Sequence, residues 1–136
     1  MDLNLNNITY YILIINEDSD DHCFLRTAFN RVIPQALIES VYSSKETLEY
    51  VKTTSLTPNL ILLDLNMPEL SGKTTIQLLK QNNVFNKVPI VVYTSDTNIE
   101  EKAEILELGV SGFYSKPKQI EDLIWLVNDV KDKHLQ

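Results

Sequence analysis

The sequence predicts an α/β fold, a parallel sheet with helices on both faces. Three observations carry that prediction. Five short strand-like segments alternate with five segments of helical periodicity, the pattern of repeated strand–helix units. The central run, Leu60-Ile61-Leu62-Leu63, is apolar at every position, as a strand buried on both faces must be. Polar residues close the runs at their carboxyl ends, where an open parallel sheet binds its ligands.

Residues 10–15 form the first strand, which ends in Asn16-Glu17-Asp18-Ser19-Asp20-Asp21. The helix after it repeats Phe24, Leu25, Ala28, Phe29, Val32 and Ile33 at a helical period, and Pro34 ends it. Cys23 falls on that stripe, which favours a small core residue over a reactive thiol. His22 is expected on the exposed side of the same helix, and neither histidine has metal-ligand spacing. Residues 36–41 are a short second strand. Ser43-Ser44-Lys45-Glu46 has the spacing of a capping box and opens a helix to about Thr53.

Residues 54–58 lead into the central strand, and Asp64 follows it directly. Met67-Pro68 and Gly72 then break the strand and turn the chain toward a third helix. That helix carries Ile76 and Leu79 inward and dissolves at Asn82-Asn83. Residues 88–93 are the fourth strand, with proline tolerated at its start, and they run into Thr94-Ser95-Asp96. Thr97-Asn98-Ile99-Glu100 is a second capping box, whose helix ends at Gly109. Residues 111–115 form a short fifth strand ending at Lys116-Pro117. The last helix has Ile120, Leu123, Ile124, Val127 and Val130 on one face.

At 136 residues, 43% hydrophobic and 23% charged, the chain is a single globular domain able to bury a core without staples. Its net charge of −7 argues against nucleic acid or an anionic membrane surface as partner. Part of that charge is concentrated in Glu17, Asp18, Asp20 and Asp21, which favours a cation site. One cysteine excludes an internal disulfide and is too little for a zinc site. The longest apolar runs are about six residues, far short of the ~20 of a membrane helix. The start has no basic segment or apolar run of a secretory signal, so a cytoplasmic, reduced setting is expected. The expected layout is an extension over 1–9, one domain over 10–133 and a short tail over 134–136, with no output domain.

In a parallel sheet the ends of the first, third, fourth and fifth strands lie side by side. They would gather Asn16-Glu17-Asp18, Asp64, Thr94 and Lys116 around one crevice. An ionised carboxylate such as Asp64 is costly there unless a cation, a charge partner or chemistry keeps it. Two or three carboxylates, one hydroxyl and one ammonium suit phosphoryl transfer to a carboxylate. The transition state spreads negative charge over three oxygens, so catalysis is mostly positioning and neutralisation. Mg²⁺ matches the hard oxygen donors. Lys116 would neutralise a second oxygen and the Thr94 hydroxyl would donate to a third.

These residues, in this order, resemble the receiver domain of two-component response regulators. Asp64-Leu65-Asn66-Met67-Pro68 and Gly72 fit its phosphoacceptor loop. Thr94 lies 30 positions after Asp64 and Lys116-Pro117 a further 22, both usual intervals of the family. The resemblance covers roughly residues 10–133. It implies a flavodoxin-like, doubly wound five-stranded sheet of order 2-1-3-4-5 with five helices. It implies that Asp64 takes a phosphoryl group from a histidine kinase or phosphotransfer protein, and that the domain is a phosphoacceptor rather than an enzyme. Glu17, Asp64 and the backbone carbonyl of Asn66 would hold Mg²⁺, and Lys116 would pair with the phosphoryl group across a cis peptide to Pro117. Thr94 and Phe113 would be the switch pair.

The family usually ends its first strand with two acidic residues, whereas here Asn16 precedes Glu17. Counting from Ile15 gives Asn16 and Glu17 as the pair; a shift by one gives Glu17 and Asp18. The apolar run favours the first register, so Asn16 or Asp18 is a further candidate metal ligand. Asn16 also motivates an alternative, a phosphorylation-independent interaction module that keeps the fold. A true hydrolase would need an acid–base residue beside the nucleophile, at the position of Asn66, and that residue is missing. On the last helix Trp125 falls about 160° from the apolar stripe, toward solvent. By resemblance the fourth helix, fifth strand and fifth helix would form a face for self-association or an unknown downstream protein.

Overall fold

The computed structural model describes residues 10–67, 71–95 and 99–135. Each apolar run becomes a strand and each periodic segment a helix, in strict alternation. The elements are β1 (Tyr11–Ile15), α1 (Ser19–Val32), β2 (Leu37–Val41), α2 (Ser44–Thr53), β3 (Leu60–Leu63), α3 (Gly72–Gln81), β4 (Ile90–Thr94), α4 (Ile99–Glu107), β5 (Gly112–Ser115) and α5 (Ile120–His134). Every strand pairing is parallel, in the order β2-β1-β3-β4-β5. The order agrees with the expected one.

β1, β3 and β4 are buried at every position, while the edge strands β2 and β5 are partly exposed. Alternate side chains therefore feed two cores. On one face Ile12, Ile14, Leu60, Leu62 and Val91 pack against Leu25 and Phe29 of α1 and Val127 and Val130 of α5. On the other, Leu13, Ile15, Ile61, Leu63 and Val92 meet Ile76 and Leu79 of α3 and Ile105 of α4.

Local chemistry sets the helix starts. Asp18 caps α1 by accepting from the Asp20 N–H, and Ser71 caps α3 by accepting from Thr74. The first capping box forms with its return bond shifted by one residue: Ser43 accepts from the Glu46 N–H, and Glu46 accepts at 2.7 Å from the N–H of Tyr42, just before the cap. Of the second box, Thr97 and Asn98 lie outside the described residues. Gly109 takes φ 95°, the left-handed turn that ends α4.

α1 is phased differently from expectation. Its inward residues are His22, Leu25, Ala28 and Phe29; Cys23 is exposed and Phe24 is 56% exposed. The Asp18 cap fixes where the helix begins. His22 then falls one turn before Leu25 on the inner stripe, and Cys23 and Phe24 fall beside it. α5 is also shifted. Leu126 joins Leu123, Val127 and Val130 inside, which turns Ile120 and Ile124 to the margin. The helix runs through His134, and Leu135 is buried in the first core, so 134 and 135 belong to the packed domain rather than to a tail. Among the described residues no helix is long and apolar enough to cross a membrane.

Candidate functional site

The ladder of the sheet continues past the strand ends and pins the backbone of each site residue. The Asn16 N–H donates to the Val41 carbonyl at 3.0 Å, Asp64 to Ile15 at 2.9 Å, and Lys116 to Thr94 at 2.9 Å. Asn16, Asp64 and Thr94 are 1%, 3% and 0% exposed, so this crevice is cut into the protein rather than laid on it.

Asp64 and Lys116 meet there. The Lys116 ammonium donates to Asp64 Oδ2 at 2.8 Å and to Asp21 Oδ2 at 2.5 Å. The other oxygen of Asp64 accepts from the Asn66 N–H at 3.0 Å. The Asn66 side-chain amide donates to Thr94 Oγ1 at 3.3 Å, which links the loop after β3 to the end of β4. Burial pulls the Lys116 pKa down, but its bonds to Asp21 and Asp64 outweigh that and hold it above the ordinary lysine value. The ammonium also lies 5.6 Å from the Tyr93 ring centroid. Burial first, then the charges of Asp21 and Asp64, push the Tyr93 phenol above its usual range.

At the end of β1 the Asn16 side chain is held at both atoms. Its Oδ1 accepts from the Asp18 N–H at 2.8 Å and its amide donates to Asp21 Oδ2 at 3.1 Å. Its backbone carbonyl accepts from His22 Nε2 at 2.6 Å. His22, expected outside, is 3% exposed and packs against Tyr42 with ring centroids 4.2 Å apart and the planes tilted by 42°. Burial lowers its pKa, which keeps a neutral ring donating to the loop.

Glu17 and Asp18 are exposed beside this cluster, and Asp18 is spent on capping α1. β1 ends at Ile15, which gives Asn16 and Glu17 as the pair after it. Phe113 is half-buried on β5, paired with Val92, and Thr94 pairs with Ser115; Phe113 and Thr94 thus share a sheet face one step apart. Lys102 of α4 covers the Phe113 ring at 5.3 Å.

Two differences from expectation stand out. Every described peptide bond is trans, including Lys116–Pro117. Trans is the favoured isomer by about 0.5–1 kcal/mol even before proline, and with it Lys116 already reaches both carboxylates. Second, Asp21 belongs to the site, although the sequence shows it only as part of an acidic run. The signal that finds it is the helix start: with Asp18 as cap, Asp21 sits in the first turn of α1, facing the end of β1.

Among the described residues no group of three or more His, Cys, Asp or Glu is placed to hold a metal alone. The donors are nevertheless hard oxygens, as Mg²⁺ requires, and Mg²⁺ characteristically uses one or two carboxylates, water and phosphate oxygens rather than a protein cage. The donor set fits that ion.

The family model described as the response regulator receiver domain matches residues 12–128. Among characterised relatives, a probable methanogenesis regulatory protein, FilR2 of Methanothrix harundinacea, is 28% identical over 90% of this chain and 82% of its own. Response regulator Rcp1 of Synechocystis is 34% identical over 58% of this chain and 54% of its own, so there the match spans about half the relative. Among solved structures, the phosphorylated cyanobacterial phytochrome response regulator RcpA superposes with a TM-score of 0.85, at 20% identity over 93% of this chain and 94% of that one. The Mn²⁺-bound form of Rcp1 gives 0.81, at 23% identity over 90% and 92%. A family match over most of the chain, on a sheet of this order with these residues at its strand ends, makes this chain a member of the receiver-domain family of two-component response regulators, whose role is phosphoacceptor signalling.

Proposed function

We propose that Asp64 is the phosphoacceptor, that it takes its phosphoryl group from a histidine kinase or phosphotransfer protein in the cytoplasm, and that divalent cation is required. The observation that carries this is the pairing of a carboxylate 3% exposed with Lys116 at 2.8 Å, beside the buried Thr94 hydroxyl. An Asp64 oxygen attacks phosphorus in line. The new O–P bond forms as the donor's P–N or P–O bond breaks, its electron pair staying on the departing atom. Lys116 moves from the Asp64 carboxylate to a phosphoryl oxygen, and Thr94 donates its hydroxyl to another. Glu17, Asp64, the Asn66 backbone carbonyl and Asn16 or Asp18 would hold Mg²⁺, which supplies charge neutralisation at the phosphoryl oxygens. Drawing Thr94 inward makes room for Phe113 to turn, a shift between two states that reaches the α4–β5–α5 face.

The test mixes the protein with Mg²⁺ and a small acyl phosphate. One phosphoryl group per chain is expected, absent in Asp64→Asn while that variant stays folded. Persistent labelling of the variant rules out the assignment. A parent chain that never labels points instead to an interaction module independent of phosphate.

A further inference from the structure

The first turn of α1 brings to the site an anion that no strand end supplies. Asp21 Oδ2 accepts from two donors, the Lys116 ammonium at 2.5 Å and the Asn16 amide at 3.1 Å. The Asn16 Oδ1 is turned to the Asp18 N–H at 2.8 Å, so this amide bridges the loop backbone to the Asp21 carboxylate. An aspartate at position 16 has no side-chain N–H to give Asp21. It would set two like charges about 3 Å apart, an arrangement in which one must lose its charge. The neutral residue on the strand and the charged one on the helix belong together.

We propose that Asp21 is the second anion of the site, carrying the charge that Asn16 lacks and holding Lys116 while Asp64 takes up the phosphoryl group. This rests on Asp64 being the phosphoacceptor. An ammonium has three donors, and two of them go to Asp21 and Asp64 in the unphosphorylated chain. Once Asp64 is an acyl phosphate its negative charge has moved to the phosphoryl oxygens, and its hold on the ammonium weakens. The bond to Asp21 remains, so Lys116 keeps its place while exchanging one partner. Asp21 thereby acts as a positioning residue, through Lys116. Its charge also bears on cation binding, because Asp21, Asp64 and Lys116 together leave one net negative charge, which Asp21→Asn removes.

The experiment compares the parent with Asp21→Asn, Asp21→Ser, Asn16→Asp and Asn16→Asp/Asp21→Asn. Mn²⁺ alone is the first probe, titrated by water-proton relaxation. Both neutral variants at position 21 are expected to bind Mn²⁺ about tenfold more weakly, the scale of a lost outer partner. The double variant should recover to within about threefold of the parent, since it only moves the charge back to the strand end. Asn16→Asp alone should melt at a lower temperature and regain stability on adding Mn²⁺. At saturating Mn²⁺, labelling by a small acyl phosphate should be about tenfold slower in Asp21→Asn and stay slow in the double variant, where Lys116 lacks its ion pair with position 21. Unchanged Mn²⁺ affinity and labelling in both neutral variants would reduce Asp21 to a structural contact and overturn the proposal. A double variant binding Mn²⁺ no better than Asp21→Asn would equally overturn the exchange of charge. Labelling of Asp64→Asn would instead remove the phosphoacceptor assignment, while the Mn²⁺ comparison still judges Asp21.

Discussion

Asn66 stands between Asp64, the proposed phosphoacceptor, and the Thr94 hydroxyl. Its backbone N–H donates to Asp64 and its side-chain amide to Thr94, and the side chain is exposed at the mouth of the crevice. With a phosphoryl group on Asp64, a short polar group there would orient a water toward phosphorus without blocking its approach, as general-base positioning requires. Asn66→Leu should slow loss of the phosphoryl group by about tenfold, or ~1.4 kcal/mol of barrier. Decay of the labelled protein followed by mass spectrometry checks it, and an unaltered half-life refutes the water-positioning role. Asp96, two residues past Thr94 in the sequence, lies outside the described residues. At this scale Asp64, Thr94 and Lys116 were legible because each directly follows a strand read from the sequence, which fixes its position in the sheet. Asp21 and His22 were not, because their places depend on the rotation of a helix whose phase is set by a cap three or four residues earlier.

Among the elements, the start of α3 packs closely on the residue that follows Asp64. A Cβ on Gly72 would lie 2.5 Å from Leu65 Cδ2 and 2.9 Å from Leu65 Cα, so the loop that follows Asp64 rests directly on the first residue of α3. Leu65 is itself buried in the second core, and its backbone lies one residue from Asp64. Gly72→Ala should therefore destabilise the domain by about 1–3 kcal/mol, the cost of overpacking. Labelling of Asp64 should slow with it, because the loop must shift. Urea unfolding measures the first effect and the acyl phosphate assay the second; a variant as stable as the parent would show that the loop yields freely. The sequence announced this turn through Met67-Pro68 and Gly72, but the reason glycine is needed is a contact, invisible without the fold. α1 shows the converse limit. Phe24 and Leu25 are adjacent apolar residues, both compatible with an inner stripe, and only the Asp18 cap decides that Leu25 turns inward and Phe24 out.

For the molecule as a whole, strict strand–helix alternation and a fully apolar central strand were enough to foresee the layers, while the strand order followed from the family resemblance. Periodicity says which side of a helix is apolar, and it says nothing about what covers the other side. Trp125 is the sharpest case. It is 65% exposed on α5, opposite the stripe of Leu123, Leu126, Val127 and Val130, so its ring does not fold back over its own domain. A tryptophan in that position supplies a large rigid contact area at little entropic cost, as interface hot spots do. On α4, Leu106 is 44% exposed, a second apolar residue outside the core. If α4, β5 and α5 form the output face, the shift at Thr94 and Phe113 reaches Trp125 through β5, which carries Phe113 directly beside β4. Trp125→Ala should fold and take up phosphate as the parent does, yet lose self-association or partner binding by about 2 kcal/mol, roughly thirtyfold in affinity. Sedimentation of the phosphorylated and unphosphorylated forms, parent against variant, reads this directly for self-association. Phosphorylation should strengthen association in the parent and not in Trp125→Ala. Equal association in both chains would place the output surface elsewhere on the domain.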